Sequence, residues 1–356
     1  MSEIRANKLR IAAIDSFRGI AALSVIIFHI FNHLGYNFFN YGLTGVDLFF
    51  MISGFVIFLT LDKTDNWKSF VAGRVARLYP VYWACVTITA ILIFSQTGLA
   101  FDLPKVYLFN LTMFQNYFKV GHLDFPYWTL VVEMQFYMLM LLLFISSLLK
   151  KIEWVAGIIS LLTLVYATFI YANYPHAFHV LNNGVPILNH FPLFFAGILF
   201  FKMKLGRGSL PLQIVLLVAC YIISCRLFVV DDRIGFLTAT QYCITLALWF
   251  LLFTVYIVQE KLLKILKPLV FIGTVSYSLY LIHQYFSFFI LIPFLERYIN
   301  NNVLIAIVTI NVDILVAVLL TFAVEKRALL PMKNLMLRIL GYRKQQDRTI
   351  EQPQPV

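Results

Sequence analysis

Long apolar runs separated by short polar clusters dominate the sequence. Ten of them, at 12–34, 43–61, 80–96, 127–149, 152–172, 187–201, 210–230, 237–258, 270–293 and 303–324, each approach the ~20 residues that a membrane-crossing helix needs. This predicts an all-α, polytopic membrane helical bundle of about ten transmembrane helices. Three other stretches fall short of a span. Residues 62–79 are basic and amphipathic, and are expected to lie along the inner interface until Pro80 opens the third span. Residues 104–118 are apolar but short, and are expected to form an outer interfacial or re-entrant segment. The basic, partly amphipathic tail 325–348 is expected to rest on the inner leaflet, with the final EQPQPV disordered.

Composition agrees with the pattern. Hydrophobic residues make up 61% of the 356 and charged residues 13%, against about 45–50% and 25% in soluble domains. The 35 Phe and 19 Tyr exceed what a water-soluble core of this size would hide. Net charge is +11, and its distribution carries the information. Threading the spans with the N-terminus inside puts 22 Lys and Arg on the inner side and five on the outer, with Arg18 within a span. That is the positive-inside asymmetry, and it places both termini in the cytoplasm. Counting 104–118 as a span would destroy it. The positive charge is therefore a topology signal, and nucleic acid is not an expected partner. The first run is too long for a signal-peptide core and has no small-x-small cleavage site after it. Cys85, Cys220, Cys225 and Cys243 fall within spans without a CxxC pair and read as packing residues. No metal site is expected. One domain is read, with an N-terminal segment 1–11, a transmembrane domain 12–324 and a basic tail 325–356.

Ionisable groups inside spans are costly unless paired or facing a wet cavity. Five stand out: Arg18, His29, Asp47, Glu133 and His283. Arg18 and His29 are eleven residues apart, about three helical turns, so they share a face about 16 Å apart along the axis. Counted from the outer ends of their spans, His29, Asp47 and Glu133 all lie roughly 6–9 Å below the outer surface. A histidine with two carboxylates at one depth has the parts of a buried general base and its orienting acid. It equally has the parts of a polar network that packs helices. Arg74 and Arg77, three apart, share a helical face and with Arg18 form a candidate anion-binding mouth. Ordinary contact with acidic lipid accounts for either of them alone. His283 lies near mid-depth, either lining the same cavity or bonded to Ser276 or Ser278.

Several segments then match a known family in order. IDSFRGIAALSVIIFH (14–29) resembles the opening helix of the acyltransferase-3 family, with its Arg-x10-His signature. GVDLFFMISGFVI (45–57), GRVARLYPVYW (73–83), WTLVVEMQFY (128–137), VSYSLYLIH (275–283) and VEK (324–326) resemble its later motifs. The likeness runs from residue 11 to about 327. Three departures stand out: Thr129 replaces a usual Ser, Met134 a frequent second Glu, and Arg327 the Pro that usually follows VEK. The resemblance implies a membrane-embedded acyltransferase domain over 12–324, in the cytoplasmic (inner) membrane. Its expected reaction moves an acyl group, usually acetyl, from acetyl-CoA to a hydroxyl of a cell-surface carbohydrate or its lipid-linked precursor. Arg18, Arg74 and Arg77 would hold the donor's phosphates. His29 would act as general base or transient acyl carrier, with Asp47 or Glu133 orienting it. Trp128, Tyr137, Ser276 and His283 would contact substrate. Expected partners are the carbohydrate or glycolipid acceptor, membrane lipids and other glycan-assembly proteins. Many members carry a C-terminal extracytoplasmic hydrolase-like domain, which is not expected here. Two readings compete: a transporter or flippase, which buried charges also suit, and an inactive scaffold. No pair of matching broken helices supports transport, and the complete ionisable set argues against a scaffold.

Overall fold

A computed structural model describes residues 2–98, 102–230 and 235–342, with side chains from Ala12 onward. Helices and turns account for all regular structure among the described residues. Nine helical stretches there are long and apolar enough to cross a membrane, and the chain is a multi-pass membrane protein.

The order begins with α1 (Ser2–His33), α2 (Gly45–Asp62) and α3 (Trp67–Thr97). Then come α4 (Leu103–Asn110), α5 (Trp128–Ile145) and α6 (Ile152–Val165), which a π turn carries into α7 (Tyr171–Asn173). Short α8 (Pro175–Gly184) precedes α9 (Phe191–Lys204), α10 (Leu210–Phe228), α11 (Ala239–Val258) and α12 (Leu269–Phe286). A second π turn leads from α12 to α13 (Ile292–Leu295). A third joins α14 (Asn302–Leu320) to α15 (Lys326–Ile339).

The run expected at 187–201 becomes α9, only 14 residues long. At 1.5 Å per residue it spans about 21 Å, and a preceding 3-10 turn, Pro186–Asn189, adds about 8 Å. It is buried along almost its whole length and lies parallel to α2, with Phe194 on Phe50 and Phe201 on Phe55. Gly54 and Gly197 permit this approach. A Cβ on Gly54 would strike the Phe194 carbonyl, and one on Gly197 the Met51 carbonyl. Close backbone contact through small residues is how membrane helices gain packing where no hydrophobic driving force separates lipid from protein. Gly19 and Gly273 let α1 and α12 meet in the same way.

Ion pairs gather the basic loops at one end. Lys202 binds Glu153 (2.8 Å), Lys204 binds Glu260 (2.8 Å) and Arg207 binds Asp62 (2.6 Å). The Lys68 ammonium reaches the Gly341 carbonyl at 3.5 Å. These are loops that the charge distribution assigns to the inner side, and "inner" below means this end.

Two expectations about the inner surface are corrected. Residues 67–79 do not form a separate interfacial helix, because α3 runs unbroken for 31 residues through Pro80. Its length of about 46 Å exceeds the hydrocarbon thickness, so its first turns project inward carrying Arg74 and Arg77. The segment 326–339 likewise continues the last span as α15 and packs against α3. No Pro stops the helix after Glu325, and exposed Arg327 simply extends it. The terminal EQPQPV lies outside the described residues.

The stretch at 104–118 re-enters. Tyr107 pairs with Thr87, Trp83 donates to the Leu111 carbonyl (2.9 Å), and Tyr79 donates to that of Thr112 (3.0 Å). The chain thus descends along α3 from its outer end to about its middle. Non-helical backbone at that depth needs internal partners. The Asn110 side chain supplies three, donating to the Val106 and Gly121 carbonyls and accepting from the Leu123 amide.

Candidate active site

A cavity of about 110 Å3 opens between α1, α2, α3, α5 and α12. Arg18, Arg74 and Arg77 line it together, so three cations predicted from separate segments converge at one mouth. Two are held by carboxylates. Arg18 donates to Asp15 at 3.2 Å, and Arg77 donates to Glu325 in the π turn Thr321–Glu325. Glu325 is only 2% exposed and also meets the Ser278 hydroxyl at 3.3 Å. Arg74 differs. Its guanidinium lies 5.9 Å from the Tyr137 ring, and its buried Nε has no hydrogen-bond partner among the described residues. An unsatisfied buried donor on a cation is costly. It marks the place where an anionic group fits.

Glu133 faces the same cavity. Its carboxylate accepts from the Ser53 hydroxyl at 3.2 Å and from the Tyr137 hydroxyl. Ser276, Tyr277 and Tyr280 complete the α12 wall. Tyr280 closes the outer end, its hydroxyl 3.1 Å from that of Thr129, which donates to the Pro126 carbonyl at 2.9 Å. Thr129 therefore provides the hydroxyl that the usual Ser would.

One turn beyond Tyr280 lie two imidazoles, His29 and His283, nearly coplanar and edge to edge with ring centroids 5.2 Å apart. His283 Nδ1 is 2.9 Å from the Tyr280 carbonyl oxygen. A carbonyl only accepts, so in the neutral ring Nδ1 carries the proton and Nε2 the lone pair. That lone pair is 2.9 Å from His29 Nδ1, which must donate. His29 is left with its proton on Nδ1 and a lone pair on Nε2, the form a general base requires.

The expected cluster of His29, Asp47 and Glu133 at one depth does not form. The re-entrant loop delivers the chain to α5 well inside the bundle, where Thr129 meets Tyr280. Glu133 consequently lies level with Ser53, about 9 Å along α2 from Asp47. Asp47 is fully buried in the first turn of α2, where the helix dipole favours a carboxylate, and it does not line the cavity. The group that orients His29 is His283, and Ser276 and Ser278 bond elsewhere, to the Gly273 carbonyl and to Thr321. Of the expected substrate contacts, Tyr137 and Ser276 line the cavity, whereas Trp128 packs on His190.

Sequence reasoning missed Asp15, Ser53, Tyr280 and Glu325 as site residues. Beside the site, burial pushes Asp124 of the re-entrant loop up to about 7, although the Tyr285 amide donates to it at 3.2 Å. Burial drives the neighbouring His122 down to about 4. Among the described residues, no group of three or more His, Cys, Asp or Glu side chains is arranged to hold a metal ion.

Known proteins were compared with this chain. Residues 11–324 match the family profile described as an acyltransferase domain. A protein of Acidianus two-tailed virus, provisionally named an acetyltransferase, is 25% identical over 76% of this chain and 81% of its own length. A Staphylococcus aureus (strain COL) protein, provisionally named an O-acetyltransferase, is 28% identical over 82% of this chain and 52% of its own. A Bacillus subtilis (strain 168) protein, provisionally named a peptidoglycan O-acetyltransferase, is 28% identical over 43% of this chain and 27% of its own. The chain thus spans about half of the staphylococcal relative and about a quarter of the Bacillus one. No solved structure matches. With a profile match across most of its length, this chain belongs to the acyltransferase-3 family.

Proposed function

We propose that this chain is an O-acyltransferase of the cytoplasmic membrane. It moves an acetyl group from acetyl-CoA to a hydroxyl of a cell-surface carbohydrate or its lipid-linked precursor. Both the N-terminal segment 1–11 and the tail 325–356 face the cytoplasm, around a catalytic domain over 12–324. The observation that carries the reading is the arginine mouth with an unsatisfied Arg74 Nε, about 16 Å down α1 from the available His29 nitrogen. Phosphates of the donor fit Arg18, Arg74 and Arg77 through charge-assisted hydrogen bonds. A pantetheine arm has about the reach needed to bring a thioester from this mouth toward the histidine pair.

In this reading His29 Nε2 accepts the proton of the acceptor hydroxyl as its oxygen attacks the thioester carbonyl; the C–S bond then breaks, and the departing CoA thiolate takes that proton back from His29. The charge that develops on the His29 ring is shared through Nδ1–H with His283. Glu133, tied to Ser53 and Tyr137, holds the cavity wall. Peptidoglycan, named for the Bacillus relative, is one acceptor of the right chemistry. Glycan-assembly proteins are the partners this chemistry calls for, since something must present the acceptor.

The test uses detergent-purified protein and acetyl-CoA labelled in the acetyl group. Wild type should release or transfer label, and His29→Ala should lose turnover by at least about a hundredfold while still binding donor. Full turnover in the mutant would sink the role of His29. Absence of donor binding in both proteins would overturn the acyltransferase reading.

A further inference from the structure

A second and larger cavity, about 450 Å3, lies at the inner end between α1 and the connection from α11 to α12. Its charged wall comes from the 3-10 segment Glu260–Leu266 with Lys267 and Pro268 following. A 3-10 helix has three residues per turn, so positions three apart eclipse. The sequence EKLLKILKP therefore resolves into three edges. Lys261, Lys264 and Lys267 fall on one, about 6 Å apart at 2.0 Å rise per residue, and all three line the cavity. Leu263 and Leu266 fall on the second and pack on the core. Leu262 and Ile265 fall on the third, 63% and 82% exposed.

The acid in this segment is already taken. Glu260 is paired with Lys204, whose ammonium also donates to the Tyr256 carbonyl at 2.7 Å and lies over the Tyr256 ring. Among the described residues no carboxylate lies within ion-pairing distance of Lys261, Lys264 or Lys267. A row of exposed, unneutralised lysines along the wall of this open cleft sits beside the exposed apolar edge of Leu262 and Ile265. Ala12 and Ala13 form an apolar wall opposite, and Ser16 adds a hydroxyl. The pairing of cation and apolar surface at this depth matches one chemistry, a phosphate group carried on acyl chains.

We propose that this cavity binds the headgroup of one anionic phospholipid. The lysine row takes its phosphate, and Val258, Leu262 and Ile265 bear against its acyl chains. The site is separate from the arginine mouth, although both use α1.

The experiment titrates purified protein in neutral detergent with fluorescent phosphatidylglycerol. Saturable binding near one lipid per chain is expected, without competition from phosphatidylcholine. The triple variant Lys261→Gln, Lys264→Gln, Lys267→Gln should bind at least about tenfold more weakly. The corresponding triple Lys→Arg variant keeps the charge and should bind as wild type does, which separates loss of the site from misfolding. Lys63→Gln, Lys150→Gln, Lys151→Gln removes equal inner charge elsewhere and should leave binding unchanged. Equal weakening in that control, or competition by phosphatidylcholine, would overturn the site. Displacement by millimolar inorganic phosphate would overturn the lipid and assign the lysines to a soluble phosphate ligand.

Discussion

At the residue scale, the site rests on which nitrogen carries which proton. The Tyr280 carbonyl fixes the tautomer of His283, and His283 fixes that of His29. In the proposed mechanism the imidazole pair takes the part that a carboxylate–histidine pair takes in many hydrolytic sites, without placing a formal negative charge beside the base. The role assigned to His283 is positioning, so its removal should act on turnover and not on donor affinity. His283→Ala is expected to lower kcat by roughly ten- to a hundredfold with donor Kd within twofold of wild type. His29→Ala should cost more. Unchanged kcat in the His283 variant would mean that His29 needs no oriented partner. The pairing was not readable from sequence. His29 and His283 are 254 residues apart, and depth along a helix says nothing about azimuth. The carboxylates looked like the natural partners, yet Glu133 is engaged by Ser53 and Tyr137.

At the element scale, the apolar runs foretold the helices, and the errors came from where helices begin. Counting depth from the end of a span assumes that the span starts at the membrane surface. The segment 102–124 breaks that assumption by descending along α3 before α5 starts. The arginines were legible because charge and spacing on one helix face carry over directly into space. Glu325 was not, because the π turn Thr321–Glu325 brings it inward from a segment that reads as surface tail. Single-turn π segments often mark functional positions, and this one holds Arg77 at the mouth.

The α2–α9 contact gives a direct test of what positions Ser53. Gly197→Val would drive a side chain into the Met51 carbonyl, so the helices must part. Overpacking of this kind costs about 1–3 kcal/mol, and the shift should move Ser53 from Glu133. A lower midpoint of thermal unfolding in detergent and reduced turnover are both expected. Gly73→Ala is the matched control, because a Cβ there meets nothing within 4 Å and α3 should gain slightly from Ala. Equal stability of the two variants would show that α2 and α9 are not locked by backbone contact.

At the scale of the whole molecule, the re-entrant loop ties the outer half of the bundle together, and Asp124 is its charged link to α12. The carboxyl is 3% exposed, and burial holds it near 7 against an ordinary value of about 4. Between those two values the folded protein binds more protons than the unfolded chain does. The slope of unfolding free energy with pH follows the excess of protons on the unfolded state, which is negative here. Stability from this group is therefore full below about pH 4, falls as pH rises toward 7, and stays low above it. At about 1.4 kcal/mol per unit, a shift of about three units sets a ceiling of roughly 4 kcal/mol. His122, driven down to about 4, acts the other way: between there and its ordinary 6.5 the unfolded chain holds a proton that the folded ring has lost, so its contribution rises with pH and offsets much of the Asp124 loss. The Asp124 contribution is therefore read as the difference in thermal-unfolding midpoint in detergent between wild type and Asp124→Asn, which should fall by several degrees between pH 5 and 7.5. Asp124→Asn keeps an acceptor for the Tyr285 amide and removes the carboxyl titration, so its midpoint should climb with pH as the His122 contribution is left unopposed. If the wild-type and variant midpoints move in parallel as pH rises, the buried carboxyl is not the group that couples this loop to the proton.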